Sequence, residues 1–273
     1  GELIQNMFGT ESLNIDPIEI SSKITKFISY QVHKSGLNGA IIAVSGGIDS
    51  ALTLSYLAKA LGPKRVHAIT MPERDITSER DITDVIHLTQ LYDVTCDIVD
   101  ITPILDSISK TLPYHNKCDK LSTGNIRPRI RMLISYHYAN TLRMMVVGSS
   151  NKTELLTGYF TKYGDGGVDL MPFGDLFKGQ IKQLAKYMGI PPKIINKTPS
   201  AGLWPGQSDE KEMGATYDTI DMILLDYKNG YTSQDISLRT GADLEVVKSI
   251  LNRVKTNEHK RHLPLILRLS SLT

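Results

Sequence analysis

The stretch that most constrains this chain is Ala40–Ser50, AIIAVSGGIDS. Ala40, Ile41, Ile42, Ala43 and Val44 form a continuous run of small or branched apolar residues, the pattern of a strand buried on both faces. Ser45-Gly46-Gly47 breaks the run, and beyond Asp49-Ser50 the spacing of Ala51, Leu52, Leu54, Ser55, Ala58 and Leu61 is helical. Strand, glycine turn and helix start in succession offer free backbone N–H groups and a positive dipole end, which suit a phosphate. The glycines let a ligand approach the main chain. The commoner nucleotide loop, G-x-x-x-x-G-K-S/T, cannot be fitted here, and no lysine follows the glycines. A tight turn that binds nothing also uses two glycines. Asp49 favours the nucleotide: among phosphate-cradling N–H groups a carboxylate would repel the ligand unless a cation bridged them, and Mg²⁺ takes hard oxygen ligands of this kind.

The rest of the chain repeats the alternation. Asp16-Pro17-Ile18-Glu19 predicts a helix start with a capping box, Ile20, Ile24, Phe27 and Ile28 give that helix an apolar face, and Gly36 ends it. The Asp49 helix stops at Gly62-Pro63. Arg65–Met71 reads as a second strand, and a helix carrying Ile82, Val85, Ile86 and Thr89 follows a loop. Tyr92–Ile101 reads as a third strand, with Val94, Cys96 and Ile98 alternating, and Thr102-Pro103 caps the next helix. After a polar loop, Tyr114–Thr123, a long helix runs from about Asn125 to Leu142, with Pro128 near its start. Met144–Val147 is a fourth strand, followed at once by GSSNKTE. The predicted fold is therefore α/β, a doubly wound parallel sheet with helices on both faces. Such sheets bind ligands beyond the carboxyl ends of their strands, so Ser45–Ser50 and Gly148–Glu154 can reach one crevice.

Beyond Glu154 the texture changes. Gly158–Pro172 contains TKYGDGG and is expected to be mobile without a ligand. Lys178–Met188 is an amphipathic helix stopped by Gly189, Lys197–Gln207 is a loop of turn residues, and from Thr216 a helical annex is expected to pack on the sheet. The α/β core is placed at about 16–195 and the loop and annex at about 196–273, within one domain. The near-balanced charge of +2 argues for neither nucleic acid nor membrane, and the apolar runs are too short to span a bilayer. Cys96 and Cys118 lack metal-ligand spacing, which fits a reduced, cytoplasmic setting. The first dozen residues read as a frayed polar end.

SGGIDS resembles the pyrophosphate loop of N-type ATP pyrophosphatases, which split ATP between its α- and β-phosphates. With GNIRPRIRM, GSSNKTELLTGYFTKYGDGGVDLMPFGDLFKGQ, KTPSAGLWPGQSDE and EHKRHLP, in that order, the chain resembles the ammonia-dependent NAD synthetases over residues 40 to 264. The resemblance implies an adenine nucleotide alpha hydrolase-like fold and a homodimer. It also implies amidation of deamido-NAD by ammonia through an NAD-adenylate, with release of AMP and pyrophosphate. It places Ala43, Val44, Ser45, Gly46, Gly47, Ile48, Asp49, Ser50, Ser149, Lys178 and Ser200 at ATP, and Asp49 and Glu154 on Mg²⁺. It places Arg129, Lys162, Asp169, His259 and Lys260 at deamido-NAD. Asp49, Lys162, Asp165 and Lys178 are the expected catalytic residues, and Asp165 and Asp169 the candidates for stabilising the incoming amine. Arg127-Pro128 stands where the family has a lysine or glutamine and an alanine, which leaves open whether Arg127 or Arg129 faces the substrate.

Each residue also has a plainer reading: Glu154 as a first-turn helix acid, Lys178 as a solvated helix start, Ser200 as a turn serine, and EHKRH as a basic helix end. Three rival functions can be set against the resemblance. A thiolating relative needs more cysteines, a nucleotide sensor could dispense with Asp49, Glu154 and the glycine segment, and nucleic-acid binding through Lys255–Arg268 lacks interleaved aromatics. No room remains for a glutaminase domain, so ammonia is expected to arrive free or from a separate partner.

Overall fold

The computed structural model describes residues 13–113, 119–204, 206–267 and 269. The first dozen residues, Cys118, the head of the Tyr114–Thr123 loop and Arg268 lie outside the described residues. Sixteen elements follow in order as α1 (Pro17–Ser35), β1 (Gly39–Ala43), α2 (Ile48–Leu61), β2 (Val66–Thr70), α3 (Glu79–Leu91), β3 (Thr95–Ile98), α4 (Thr102–Thr111), α5 (Lys120–Leu142), β4 (Met144–Val147), α6 (Lys152–Thr157), α7 (Lys178–Tyr187), α8 (Pro192–Ile195), α9 (Asp209–Met213), α10 (Tyr217–Lys228), α11 (Ser233–Thr240) and α12 (Leu244–Thr256). A 3₁₀ turn, Glu258–Arg261, closes the series.

The sheet is parallel and four-stranded, ordered β3-β2-β1-β4. The chain therefore steps outward from β1 to β3 and returns to the other side of β1 to lay down β4. That reversal opens the crevice between β1 and β4, at the strand ends that lead into SGG and GSSN. Side chains of β1 point alternately to two cores. Ala40 and Ile42 pack with Ile24 and Ile28 of α1, Leu52 and Leu54 of α2 and Ile181 and Leu184 of α7. Ile41 packs with Ile69, Val146 and, from α5, Ile130 and Ile134. Both faces of β1 are buried, which is why the run shows no polar alternation.

Several expectations need correcting. The annex does not pack on the sheet: α10 and α12 contact α6 and α7, and their own core (Tyr217, Ile220, Leu224, Val247, Ile250) meets the α/β part through Phe177, Leu156 and Tyr159. Helix α5 starts at Lys120 rather than near Asn125, because Asp119 caps it by accepting from the N–H groups of Leu121 and Ser122. Pro128 thus sits in the helix interior, where it removes a hydrogen bond. The third strand shrinks to Thr95–Ile98, an edge strand whose Ile98 is 55% exposed. Thr102 lies inside α4, its N–H bound by Asp100, and its hydroxyl accepts from Arg74 N–H. Asp16 does cap α1, but Glu19 pairs with Lys23 at 2.5 Å, and Phe27 is exposed.

Candidate active site

The SGG turn is built to leave amides available. Gly47 occupies the N-cap of α2 and has no side chain with which to cap it. Gly46 adopts φ +81°, and a Cβ there would lie 3.1 Å from the Asp81 carbonyl. Ser50 Oγ stitches the turn, donating to Gly47 O at 3.1 Å and accepting from Ser45 N at 3.2 Å. In the first turn of α2, Asp49 points across the crevice toward the loop after β4.

That loop supplies its partners. Asn151 caps α6, its Oδ1 accepting from Glu154 N at 3.0 Å while Glu154 Oε2 accepts from Asn151 N at 3.3 Å. The capping box aims both side chains. Asn151 Nδ2 donates to Asp49 Oδ1 at 2.9 Å. Lys178, the first residue of α7 and only 3% exposed, pairs with Asp49 Oδ2 and lies 3.7 Å from Glu154 Oε1. Its ammonium also stands 5.0 Å from the centre of the Tyr217 ring. Burial first, then the charge of Asp49, pushes the Glu154 carboxyl up to about 8, despite Lys178. Lys178 itself is held above its ordinary value: Asp49 and Glu154 outweigh its burial.

These groups line a cavity of about 940 Å³. Ala43, Val44, Ser45, Gly47, Ile48, Asp49, Ser50, Ser149, Glu154, Asp165, Lys178, Ser200 and Lys260 are in its wall. Arg129 is exposed and donates to Lys162 O at 3.2 Å, and Lys162 Nζ lies 3.4 Å from His259 Nδ1. Both oxygens of Asp169 hold the chain, accepting from Tyr136 OH at 2.8 Å and Val146 N at 2.9 Å. Arg129, Lys162, Asp169 and His259 therefore gather around the glycine segment, outside the cavity wall.

The glycine segment is packed rather than loose. Thr161 N donates to Asp165 Oδ1 at 2.8 Å, and Gly164, Gly166 and Gly167 sit against Pro128, Phe160 and Met132. Asp165 is exposed to the cavity, and the surrounding protein, by displacing water from its carboxylate, raises it above the ordinary carboxylate range. The basic end turns inward. Lys260 donates to Gly158 O at 2.7 Å and Phe160 O at 2.9 Å, and Arg261 to Leu156 O at 2.9 Å, so they satisfy carbonyls at the C-terminus of α6.

Of the two arginines left open by the sequence, Arg127 forms a two-toothed pair with Glu73, at 2.5 and 2.7 Å. Several residues of the site escaped the sequence. Arg131, two residues beyond Arg129, enters the cavity wall. Burial lowers the Arg131 pKa. Lys197 pairs with Asp81 and donates to Gly46 O at 3.2 Å, joining the turn-rich loop to the SGG turn. Asp209 accepts from Ala201 N at 2.9 Å and from Tyr217 OH at 3.1 Å, anchoring the stretch next to Ser200. Only Asn151 had a legible signal, the Asn-x-x-Glu box in GSSNKTE.

Among the described residues no three His, Cys, Asp or Glu side chains gather as a ready-made metal cage. Asp49 and Glu154 nevertheless fit Mg²⁺, which keeps several waters and takes one or two carboxylates beside substrate phosphates. A carboxyl raised to about 8 by burial and by the neighbouring Asp49 is one a further cation would ionise.

A parallel sheet with a glycine turn, an acid pair and a buried lysine at its switch point defines an α/β nucleotide-binding protein of the adenine nucleotide alpha hydrolase-like class. The model of the NAD synthase family matches residues 20–264, and the chain belongs to that family. It is 42% identical over 243 residues to the NH(3)-dependent NAD(+) synthetase of Methanosarcina acetivorans, covering 89% of this chain and 95% of that one. Among solved structures, the NMN synthetase of Francisella tularensis superposes with a TM-score of 0.83 at 32% identity, over 94% of this chain and all of the other. The NH3-dependent NAD synthetase of Campylobacter jejuni gives 0.78 at 31% identity, over 93% of this chain and 100% of that one.

Proposed function

We propose that this chain is a ligase that makes NAD by ATP-dependent amidation of deamido-NAD with ammonia, releasing AMP and pyrophosphate. The observation that carries the reading is the Asp49–Lys178–Glu154 cluster, in the same cavity wall as the SGG turn. ATP is the nucleotide that suits it, with its phosphates on the turn and Ser149 and Ser200 alongside. Two anionic substrates must meet before a carboxylate oxygen can attack the α-phosphorus, and the buried ammonium of Lys178 lowers that barrier where negative charge builds. Asp49 and Glu154 would hold Mg²⁺, which when bound would supply further neutralisation of the phosphates. Arg129, Lys162 and His259 are linked where the glycine segment meets the basic end, Lys260 is in the adjoining cavity wall, and Asp169 sits at the far end of the segment against Tyr136 and Val146; this supports assigning the five to the dinucleotide. The packed glycine segment keeps water from the acyl-adenylate, and Asp165 is placed in the cavity wall to stabilise the amine as it loses its proton.

The same reading includes a homodimer, a cytoplasmic location, and one catalytic domain made of an α/β core at about 16–195 and a loop and helical part at about 196–273. No described helix is long and apolar enough to cross a membrane. Lys260 and Arg261 are spent on backbone carbonyls, which removes the core of the basic stretch that nucleic acid would use.

The test is pyrophosphate and NAD formation from Mg²⁺·ATP and deamido-NAD, with ammonium or glutamine as nitrogen donor. NAD from ammonium and none from glutamine is expected. Turnover of nicotinic acid mononucleotide in place of the dinucleotide would overturn the substrate, and ATP binding without turnover would favour a nucleotide sensor. Sedimentation of the purified chain tests the dimer.

A further inference from the structure

Helix α7 begins with the lysine that the site depends on; its own Gln180 accepts from Phe177 N at 2.8 Å, but the helix supplies no side chain for the amides of Lys178 and Gly179. Its N-cap is Phe177, which makes no side-chain hydrogen bond to the helix amides. The cap comes from elsewhere. Thr153, beside Glu154 on α6, accepts from Lys178 N at 3.0 Å through its hydroxyl. That hydroxyl donates to Asp221 Oδ1 at 2.5 Å, and Asp221 Oδ2 accepts from Gly179 N at 2.7 Å. Asp221 lies on α10, in the annex, and is 1% exposed. A Cβ at position 179 would stand 3.3 Å from Asp221 Oδ2, so the glycine lets the carboxylate close onto the helix end. Four residues before Asp221, on the same face of α10, Tyr217 places its ring near the Lys178 ammonium.

We propose that Asp221 is a positioning residue for the ATP-cleaving chemistry, which through Thr153 and the amides of Lys178 and Gly179 fixes the Lys178 ammonium against Asp49 and Glu154. The proposal rests on the proposed reaction for its chemical consequence, though the clamp itself does not. One carboxylate joins the starts of α6 and α7, so the two helices that carry Glu154 and Lys178 are registered to each other by a third element. An anion is also the species that a helix N-terminus stabilises. Burial raises Asp221 to about 6, so it is ionised at neutral pH and caps as a charge. The annex thereby has a part in the site although neither Asp221 nor Thr153 is in the cavity wall.

Three variants test this: Asp221→Asn, Thr153→Val and Thr153→Ser. Valine keeps the volume of threonine and loses the hydroxyl, whereas serine loses the methyl and keeps the hydroxyl. With saturating substrates, kcat for pyrophosphate release is expected to fall at least about tenfold in Asp221→Asn and Thr153→Val, from misplacement of a catalytic group. KM for ATP should stay within about threefold, because ground-state contacts on the SGG turn are untouched. Thr153→Ser should retain the wild-type kcat. Hydrogen exchange at the start of α7, measured without substrate, should quicken in the first two variants and not in the third. Unchanged kcat in Thr153→Val, equal loss in Thr153→Ser, or unchanged exchange in Asp221→Asn would each overturn the proposal. A wild-type chain that turns over no substrate would instead refute the proposed reaction, and the exchange measurement would still decide the clamp.

Discussion

Lys178→Met is the sharpest perturbation of the site. Methionine fills nearly the same volume, so no cavity is left and the change isolates the charge. Lys178 is 3% exposed and touches Asp49 Oδ2, with Glu154 Oε1 at 3.7 Å. Unit charges about 4 Å apart interact by about 4 kcal/mol at an effective dielectric near 20. Removing one member of a buried pair costs about 3–5 kcal/mol, because the abandoned carboxylate stays out of water. The folded state should lose that much in a urea titration at neutral pH. Catalysis should suffer separately: loss of a preorganised positive group beside a reacting phosphate lowers kcat by about 10²–10³. Stability is read from the denaturation midpoint, and kcat from pyrophosphate release at a temperature where the variant is fully folded. A variant whose kcat stays within about fivefold of wild type would show that the lysine only neutralises the acids, and would refute its catalytic assignment. Arginine is no conservative substitute here, since its planar fork cannot occupy a site shaped for a compact ammonium.

Gly158 has φ +69°, and a Cβ there would lie 2.1 Å from Asn257 Cβ, so Gly158→Ala should cost about 3 kcal/mol from strain and overpacking together. Gly36→Ala, with φ +68° and open space around it, should cost only about 1 kcal/mol, and urea midpoints of the two compare them. The pH dependence follows from Asp221, raised by burial from 3.8 to about 6, with Asp218 adding to the rise. The folded state holds that proton more tightly than the unfolded chain, so this contribution to stability is full below pH 4 and is lost as pH rises through about 6, by about 3 kcal/mol. Asp221→Asn should accordingly be more destabilising at pH 4.5 than at pH 7, and a difference independent of pH would refute the burial argument. Chelation with EDTA should abolish turnover, and Asp49→Asn should raise the Mg²⁺ concentration needed for half-maximal rate.

What could be read from the chain depended on whether the determining interaction was local. Residues 40–50 were legible because β1 is buried on both faces and its turn is set by adjacent glycines. The cap at Asp16 and the stops at Gly36 and Gly62 were legible for the same reason. The start of α5 was not, because Lys120–Gly124 looks like a polar loop until Asp119 is seen to cap it. The surroundings of Lys178 were out of reach: its partner Asp49 is 129 residues away and its cap comes from Asp221. Read alone, it is an ordinary basic residue at the start of an amphipathic helix. The GNIRPRIRM stretch shows the same limit. A spacing of four residues put Arg127 and Arg131 on neighbouring parts of one helix, with Arg129 between them on another side, but tertiary packing decided that Arg127 would take Glu73 and that Arg131 would enter the cavity wall.

The plain and the functional readings of these residues turn out not to compete. Glu154 is a first-turn helix acid, and that duty pins Oε2 to the Asn151 amide and leaves Oε1 facing Lys178. Asn151 is a helix cap, and because its Oδ1 is taken by the helix its Nδ2 is directed at Asp49. Lys260 closes the carbonyl end of α6 and by doing so reaches the cavity wall. A side chain with one local bond already made loses little further freedom on binding a ligand, so the ordering entropy is spent in folding rather than at the moment of reaction. Helix ends are well suited to this, since their unpaired amides and carbonyls demand side-chain partners in any case. A fold that brings several helix ends to one switch point thus obtains oriented charged groups as a by-product of satisfying its own backbone. In this chain α2, α6 and α7 all begin there.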